Sequence, residues 1–430
     1  MDTTKINIPN QEGSYSIDFG DIYVVNEVIK SSGLYKLFNS FQFKNNDTLF
    51  ALILFKLIGN NSNFFALKWW ESSFAKYLFP QAELDLPRIA DFLIDLGDKN
   101  VFTTFMSNYL PFIKNDVQLP HTLFDSSGLQ SDINNPLSAS STNNSAYNHK
   151  VKLLVVNKSG LNYPFYYKYV AENIIDVSSL KEALNELESY GININKVVIG
   201  SNYCSESNIQ AMYDKKIDFI TKLSHKNPVY DEILEQHNSS VELLENFRKF
   251  DNKNLFLKKV KINLFNNDVN AFICLDTKKR ENERQKFYNQ IDKYMTKEYF
   301  NFALPYFGVT VLLSSYEIES TDLLNLYYSR QTDDPIFEFL KTDSDLLGVR
   351  YSSEKPFRGY LFLCFLCSIV HSYLGEHLKK INYTPTNAFY ILNKYHSRVY
   401  NDRIIPDVAP KEVINIANCL KVDIPRFLTK

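Results

Sequence analysis

Cysteine is too sparse for a disulfide framework. The chain carries five, an odd number scattered over 430 residues, which points to a reducing compartment. Cys364 and Cys367 form a CxxC pair. A structural zinc site needs a second pair; with none present, the two thiols read as small apolar residues on a buried helix. Long hydrophobic runs are lacking too. The apolar stretch 361–370 is about half the length that crosses a bilayer, so no membrane partner is expected. The first ten residues lack the basic-then-apolar pattern of a secretory signal. A cytoplasmic, intracellular location is the expectation.

Charge of one sign is also missing. The formal net charge is −2 and the sequence pI about 6.4, so a nucleic-acid-binding role has to rest on local patches. What is abundant is apolar and aromatic side chain, 45% and 15% of residues. That argues against disorder, and at this length two or three domains are expected.

Residues 1–18 are polar and read as loosely ordered. From there to residue 117 apolar residues recur at three- and four-residue intervals, as in TLFALILFKLIG and PRIADFLIDLG, and predict a helical N-terminal domain (1–117). Pro87 and Gly97 mark the start and stop of one helix. Trp69 and Trp70 suit core anchors better than base-stacking platforms. After residue 118 the period changes to short β-rich runs, HTLFDSSG, VKLLVVNKSG and YPFYYKYVAEN, which read as antiparallel strands. A helix, the strand KVVIGS, the helix SESNIQAMYDKK and the strand DFITKL follow. Three strands followed by helix, strand, helix and strand make a mixed α/β sheet, an order compatible with a ribonuclease-H-like core (118–223).

Residues 224–307 read as a β-rich insertion. Thirteen Lys and Arg lie between Phe247 and Lys297 and outnumber the acidic residues there. Lys278, Lys279, Arg280 and Arg284 stand out, interleaved with Phe and Tyr. That pattern suits either a phosphate-tracking surface or an ordinary solvated β-face. Residues 308–380 return to the core with a strand, a charged helix and a long apolar helix expected to pack on the sheet. Residues 381–430 read as a C-terminal helical tail.

The charged helix carries the chemistry. Tyr327, Arg330, Asp334 and Lys341 stand at offsets 0, 3, 7 and 14, close to one face of an α-helix. An aromatic ring, a guanidinium, a carboxylate and an ammonium in one stripe suit metal-dependent chemistry on a polyanion. Two-ion phosphoryl transfer needs carboxylates that converge from separate elements. Strand ends are the rigid places to find them. Asp125 closes the TLF strand before Ser126, Ser127 and Gly128; the end of KVVIG offers Gly200.

These segments resemble a known family. Tyr327-x2-Arg330-x3-Asp334-x6-Lys341 is similar to the Y-x2-R-x3-E-x6-K signature of the insertion-sequence-four group of bacterial DDE transposases. LFDSSG resembles the segment around the family's first catalytic Asp, here Asp125. VVIGSNYCSESNI resembles its D-x-G-Y-x-S-x-x-N segment, with Tyr203, Ser205 and Asn208 matching. AENIIDVSSL, with Asn173 and Asp176, is like its G-N-x-x-D segment. The resemblance runs from about residue 18 to residue 425.

It implies DNA transposition by cleavage and strand transfer at the ends of a mobile element. Asp125 and Asp334 would hold Mg²⁺ or Mn²⁺. Tyr327, Arg330 and Lys341 would contact phosphates, and the partner would be double-stranded DNA, bound by a homodimer. Three departures count against activity. The family's second Asp is Gly200 here, its Gly two residues later is Asn202, and its Glu is Asp334. Pro335 also disfavours α geometry at residue 334 and suits the first turn of a helix, so Asp334 is either a metal ligand or an N-cap. The expectation is a persisting architecture with impaired catalysis, or an inactive DNA-binding relative or decayed element product.

Overall fold

The computed structural model describes residues 14–40, 45–59, 62–114, 122–131, 149–158, 163–171, 176–289, 300, 303–329, 336, 339 and 354–429. After β1 (Tyr15–Asp18) come seven helices: α1 (Gly20–Ser31), α2 (Leu34–Phe38), α3 (Asn46–Leu54), α4 (Ala66–Ser72), α5 (Ala75–Leu78), α6 (Leu86–Leu96) and α7 (Lys99–Lys114). A π-helical turn, Phe55–Gly59, extends α3. The sequence signals for α6 hold: Asp85 caps it by accepting from Arg88 N at 3.2 Å, Pro87 sits in its first turn and Gly97 is its C-cap. The Trp70 indole donates to Phe79 O and Trp69 packs on Phe55, so both anchor helices.

The middle of the chain builds one nine-stranded sheet. Its strands are β2 (Thr122–Ser131), β3 (His149–Lys158), β4 (Tyr163–Ala171), β5 (Lys196–Ile199), β6 (Asp218–Lys222), β7 (Phe247–Phe250), β8 (Lys253–Leu264), β9 (Asn267–Asp276) and β10 (Val309–Ser314). They lie in the order β4-β3-β2-β5-β6-β10-β9-β8-β7. The β2–β5 and β5–β6 pairs are parallel and the others antiparallel.

Apolar residues alternate between the two faces, as period-2 patterning requires. Phe124, Val197, Ile199 and Phe219 join the main core with residues of α8 (Asp176–Ser189), α9 (Glu206–Asp214) and α10 (Pro228–His237). Leu123, Val198, Ile220 and Leu312 face the other way, under Leu323, Leu324 and Tyr327 of the helix Ser320–Ser329.

Residues 224–307 differ from the separate β-rich insertion expected. β9 pairs with β10, so β7, β8 and β9 continue the main sheet. The segment also carries two helices, α10 and α11 (Thr277–Tyr288). The basic run lies on α11, capped by Asp276, which accepts from Lys279 N. KKRENERQK has no alternation to hold a strand, and its residues are mostly good helix formers.

The helix Glu354–Leu378 crosses α6 and packs against β4, as its apolar sequence predicts. Cys364 and Cys367 are fully buried in it. It is the one described helix long and apolar enough to cross a membrane, and most of it is buried inside the protein. The C-terminal region is not purely helical. Alongside the helices Pro385–Leu392 and Lys411–Cys419 it contributes β11 (His396–Val399), β12 (Arg403–Pro406) and β13 (Leu428–Thr429). β11 pairs with β1, Tyr15 opposite Val399, so the N-terminal residues expected to be loose begin a four-stranded sheet.

Candidate nucleic-acid interface

The parallel pairing of β2, β5 and β6 stops at one level, where β5 and β6 end while β2 runs on to Ser131 beside β3, and the candidate site lies along that edge. Phe124 pairs with Ile199, so the next positions, Asp125 and Gly200, are neighbours. Of Asp125 only the backbone position on β2 is described. Val198 pairs with Ile220, and two residues further Gly200 and Lys222 stand in the same relation. The Thr221 hydroxyl donates to Gly200 O at 3.4 Å, which ties the two strand ends together. Position 200, where the resemblance expects a carboxylate, is thus flanked by Asp125 on one strand and Lys222 on the other. Its backbone is extended (φ −71°, ψ 162°), a conformation open to any residue.

The motif residues after Gly200 build the turn. Tyr203 is buried, Ser205 caps α9, and buried Asn208 donates to Tyr203 O at 3.0 Å. Their agreement with the family pattern is thereby explained as structure.

The antiparallel neighbours bring α11 to the same edge. β10 begins there and β9 ends there at Asp276, where α11 starts. Lys279 Nζ lies 3.4 Å from Thr310 Oγ1 and 3.7 Å from Glu283. Lys278 is exposed. Burial lowers the His225 imidazole below its usual range, and the ammonium groups of Lys222 and Lys279 lower it further. Glu283 and Asp231 act on it in the opposite sense, so cations and carboxylates are mixed at this end of the sheet. Arg280 contributes less, because it pairs with Glu242 at 2.7 Å. Arg284 is half-buried, and its Nε has no hydrogen-bond partner among the described residues.

Tyr327 differs from the exposed phosphate contact expected. It is 3% exposed, its ring packed with Leu323 and Leu324 against the sheet. Arg330, Asp334, Pro335 and Lys341 lie outside the described residues. Among the described residues no cluster of three or more His, Cys, Asp or Glu could hold a metal. Lys222 is the residue that sequence reasoning missed. The signal was available, since it closes the DFITK strand just as Asp125 follows TLF, but a search for carboxylates passes over an ammonium.

No protein-family description matches the chain, and no curated protein sequence does. Among solved structures it is similar to a piggyBac transposase in a synaptic complex with hairpin DNA. The TM-score is 0.40 and the identity 12%, over 94% of this chain and 84% of that one. At that score the likeness bears on neither fold nor chemistry.

Proposed function

We propose that this protein is a DNA-binding relative of transposases whose phosphodiester-cleaving centre is disabled. The observation that carries the reading is the row Asp125, Gly200, Lys222 where the parallel pairing of β2, β5 and β6 stops. The order β4-β3-β2-β5-β6, antiparallel in its first three strands and parallel in the rest, is that of a ribonuclease-H-like core. Four sequence segments resembling the insertion-sequence-four group follow one another along the chain in the family's order.

A two-ion centre draws carboxylates from separate elements around cations about 3.5–4 Å apart. Position 200 supplies no side chain, and its neighbour Lys222 brings a positive charge to the place a divalent ion would need neutralised. These residues do not fit a two-ion Mg²⁺ centre. They do fit a polyanion: Lys222 and exposed Lys278 attract phosphates as point charges, Lys279 contributes less because it pairs with Glu283, and the resemblance adds Arg330 and Lys341 from the stripe. Duplex DNA is the partner, bound by one chain or by a homodimer.

The second reading keeps the enzyme, with Asp125 and Asp334 holding Mg²⁺ or Mn²⁺ for cleavage and strand transfer at element ends. The retained Asp at its strand end favours it. Binding is tested first, by titrating duplex DNA with the full chain at rising salt. Affinity that falls with a log–log slope of about −0.9 per phosphate contact supports the proposal. Affinity indifferent to salt sinks both readings.

A further inference from the structure

A second concave site lies far from this edge in composition. A cavity of about 470 Å³ opens between the N- and C-terminal helical regions, within the size range of small-molecule sites. None of its lining residues belongs to the nine-stranded sheet. It is walled by Asp18 and Asp21, by Trp69, Phe389 and Tyr390, and by His371. The π-helical turn Phe55–Gly59 supplies one side through Leu57, Ile58 and Gly59. Turns of that kind concentrate at functional sites.

Charge selects the ligand. Among the described residues that line it are two carboxylates, Asp18 and Asp21, and neither Lys nor Arg. Asp21 is 1% exposed, and it accepts from Ile22 N at 2.8 Å through one oxygen and from Asn393 Nδ2 at 3.1 Å through the other. A carboxylate has about four acceptor positions, so capacity remains. Burial raises the Asp21 carboxyl to about 6, which leaves it ionised at pH 7.5. His371 makes no hydrogen bond with a described residue and stands edge-on to Phe339. Burial pushes its imidazole down to about 4, so it stays neutral and adds no opposing charge.

We infer that this cavity binds a small organic cation with a flat apolar body, an amidinium or a protonated arylalkylamine. Asp21 and Asp18 meet its charge, and Trp69, Phe389 and Tyr390 surround its ring. The inference is independent of the DNA reading.

The test is calorimetric titration of the full chain at pH 7.5 with benzamidine, its neutral near-isostere benzamide, and benzoate. Benzamidine should bind saturably below about 1 mM, benzamide at least about tenfold more weakly, and benzoate not at all. Asp21→Asn should weaken benzamidine about tenfold. Tyr390→Ala, at a residue 68% exposed and so tolerant of change, should weaken it severalfold. If Asp21→Asn fails to fold, Asp18→Asn and Tyr390→Ala carry the test. Equal binding of benzamidine and benzamide, indifference to the folded variants, or no saturation at about 1 mM would each overturn the inference.

Discussion

Gly97 and Gly359 meet where α6 crosses the helix Glu354–Leu378. A Cβ on Gly359 would come within 1.9 Å of Leu93 O and 3.0 Å of Gly97 N, and one on Gly97 within 1.9 Å of Lys355 O. Backbone touches backbone at this crossing, so neither position has room for a methyl group. The contact joins the N-terminal helices to the long helix that packs on β4.

Gly359→Ala should therefore destabilise the fold by about 3 kcal/mol or more, the upper end for overpacking, because the obstacle is backbone. Gly375→Ala, in the same helix, meets only Pro385 at 3.6 Å and should stabilise by about 0.5–1 kcal/mol. Chemical denaturation of the two variants checks the contrast in sign.

Asn208 and Ser205 match the family pattern but hold a turn. Asn208→Ala removes one of the two donors to Tyr203 O, leaving Ser205 N, and should cost about 1 kcal/mol. Ser205→Ala removes a helix cap and should cost about 1 kcal/mol. Thermal melts should show both losses, while the folded variants keep wild-type DNA affinity.

The basic edge should answer to charge. Lys222→Ala and Lys278→Ala should each weaken DNA binding and reduce the salt slope by about 1. Arg280→Ala should change the slope less, because Glu242 already neutralises that guanidinium. Fluorescence anisotropy across a salt series measures all three.

Two groups at the cavity give opposite pH dependences. Asp21, raised to about 6 when folded, binds its proton more tightly in the native state. Its contribution is complete below the unfolded carboxylate pKa and is lost as pH rises through about 6. His371, lowered to about 4, contributes stability that is complete above the unfolded imidazole pKa and fades as pH falls toward 4. Each is worth about 3 kcal/mol at its limit, an order-of-magnitude figure. Asp21→Asn should steepen the loss of stability on acidification from pH 6 to 4, and His371→Gln should flatten it, in urea unfolding at fixed salt.

Local signals made much of this structure legible. Pro87 and Gly97 bounded α6, and KVVIGS followed by SESNIQ fixed β5 and α9. What stayed hidden depended on partners distant in sequence. β1 and β11 are four residues each and about 380 residues apart, and no local pattern announces such a pairing. The joining of β9 to β10, which turned an expected insertion into sheet, spans the chain from Asp276 to Val309 and is likewise beyond a local pattern. The stripe spacing placed Tyr327 with polar groups. Leu323 and Leu324, four and three residues earlier, put it on the helix's apolar side instead.

The most direct test is nicking of supercoiled DNA by the purified wild type and Gly200→Asp, with Mg²⁺ or Mn²⁺, beside a binding assay. The extended backbone at position 200 is a conformation that any residue adopts. The account predicts that the wild type binds DNA and leaves it intact with either metal. Metal-dependent nicking by the wild type would contradict it.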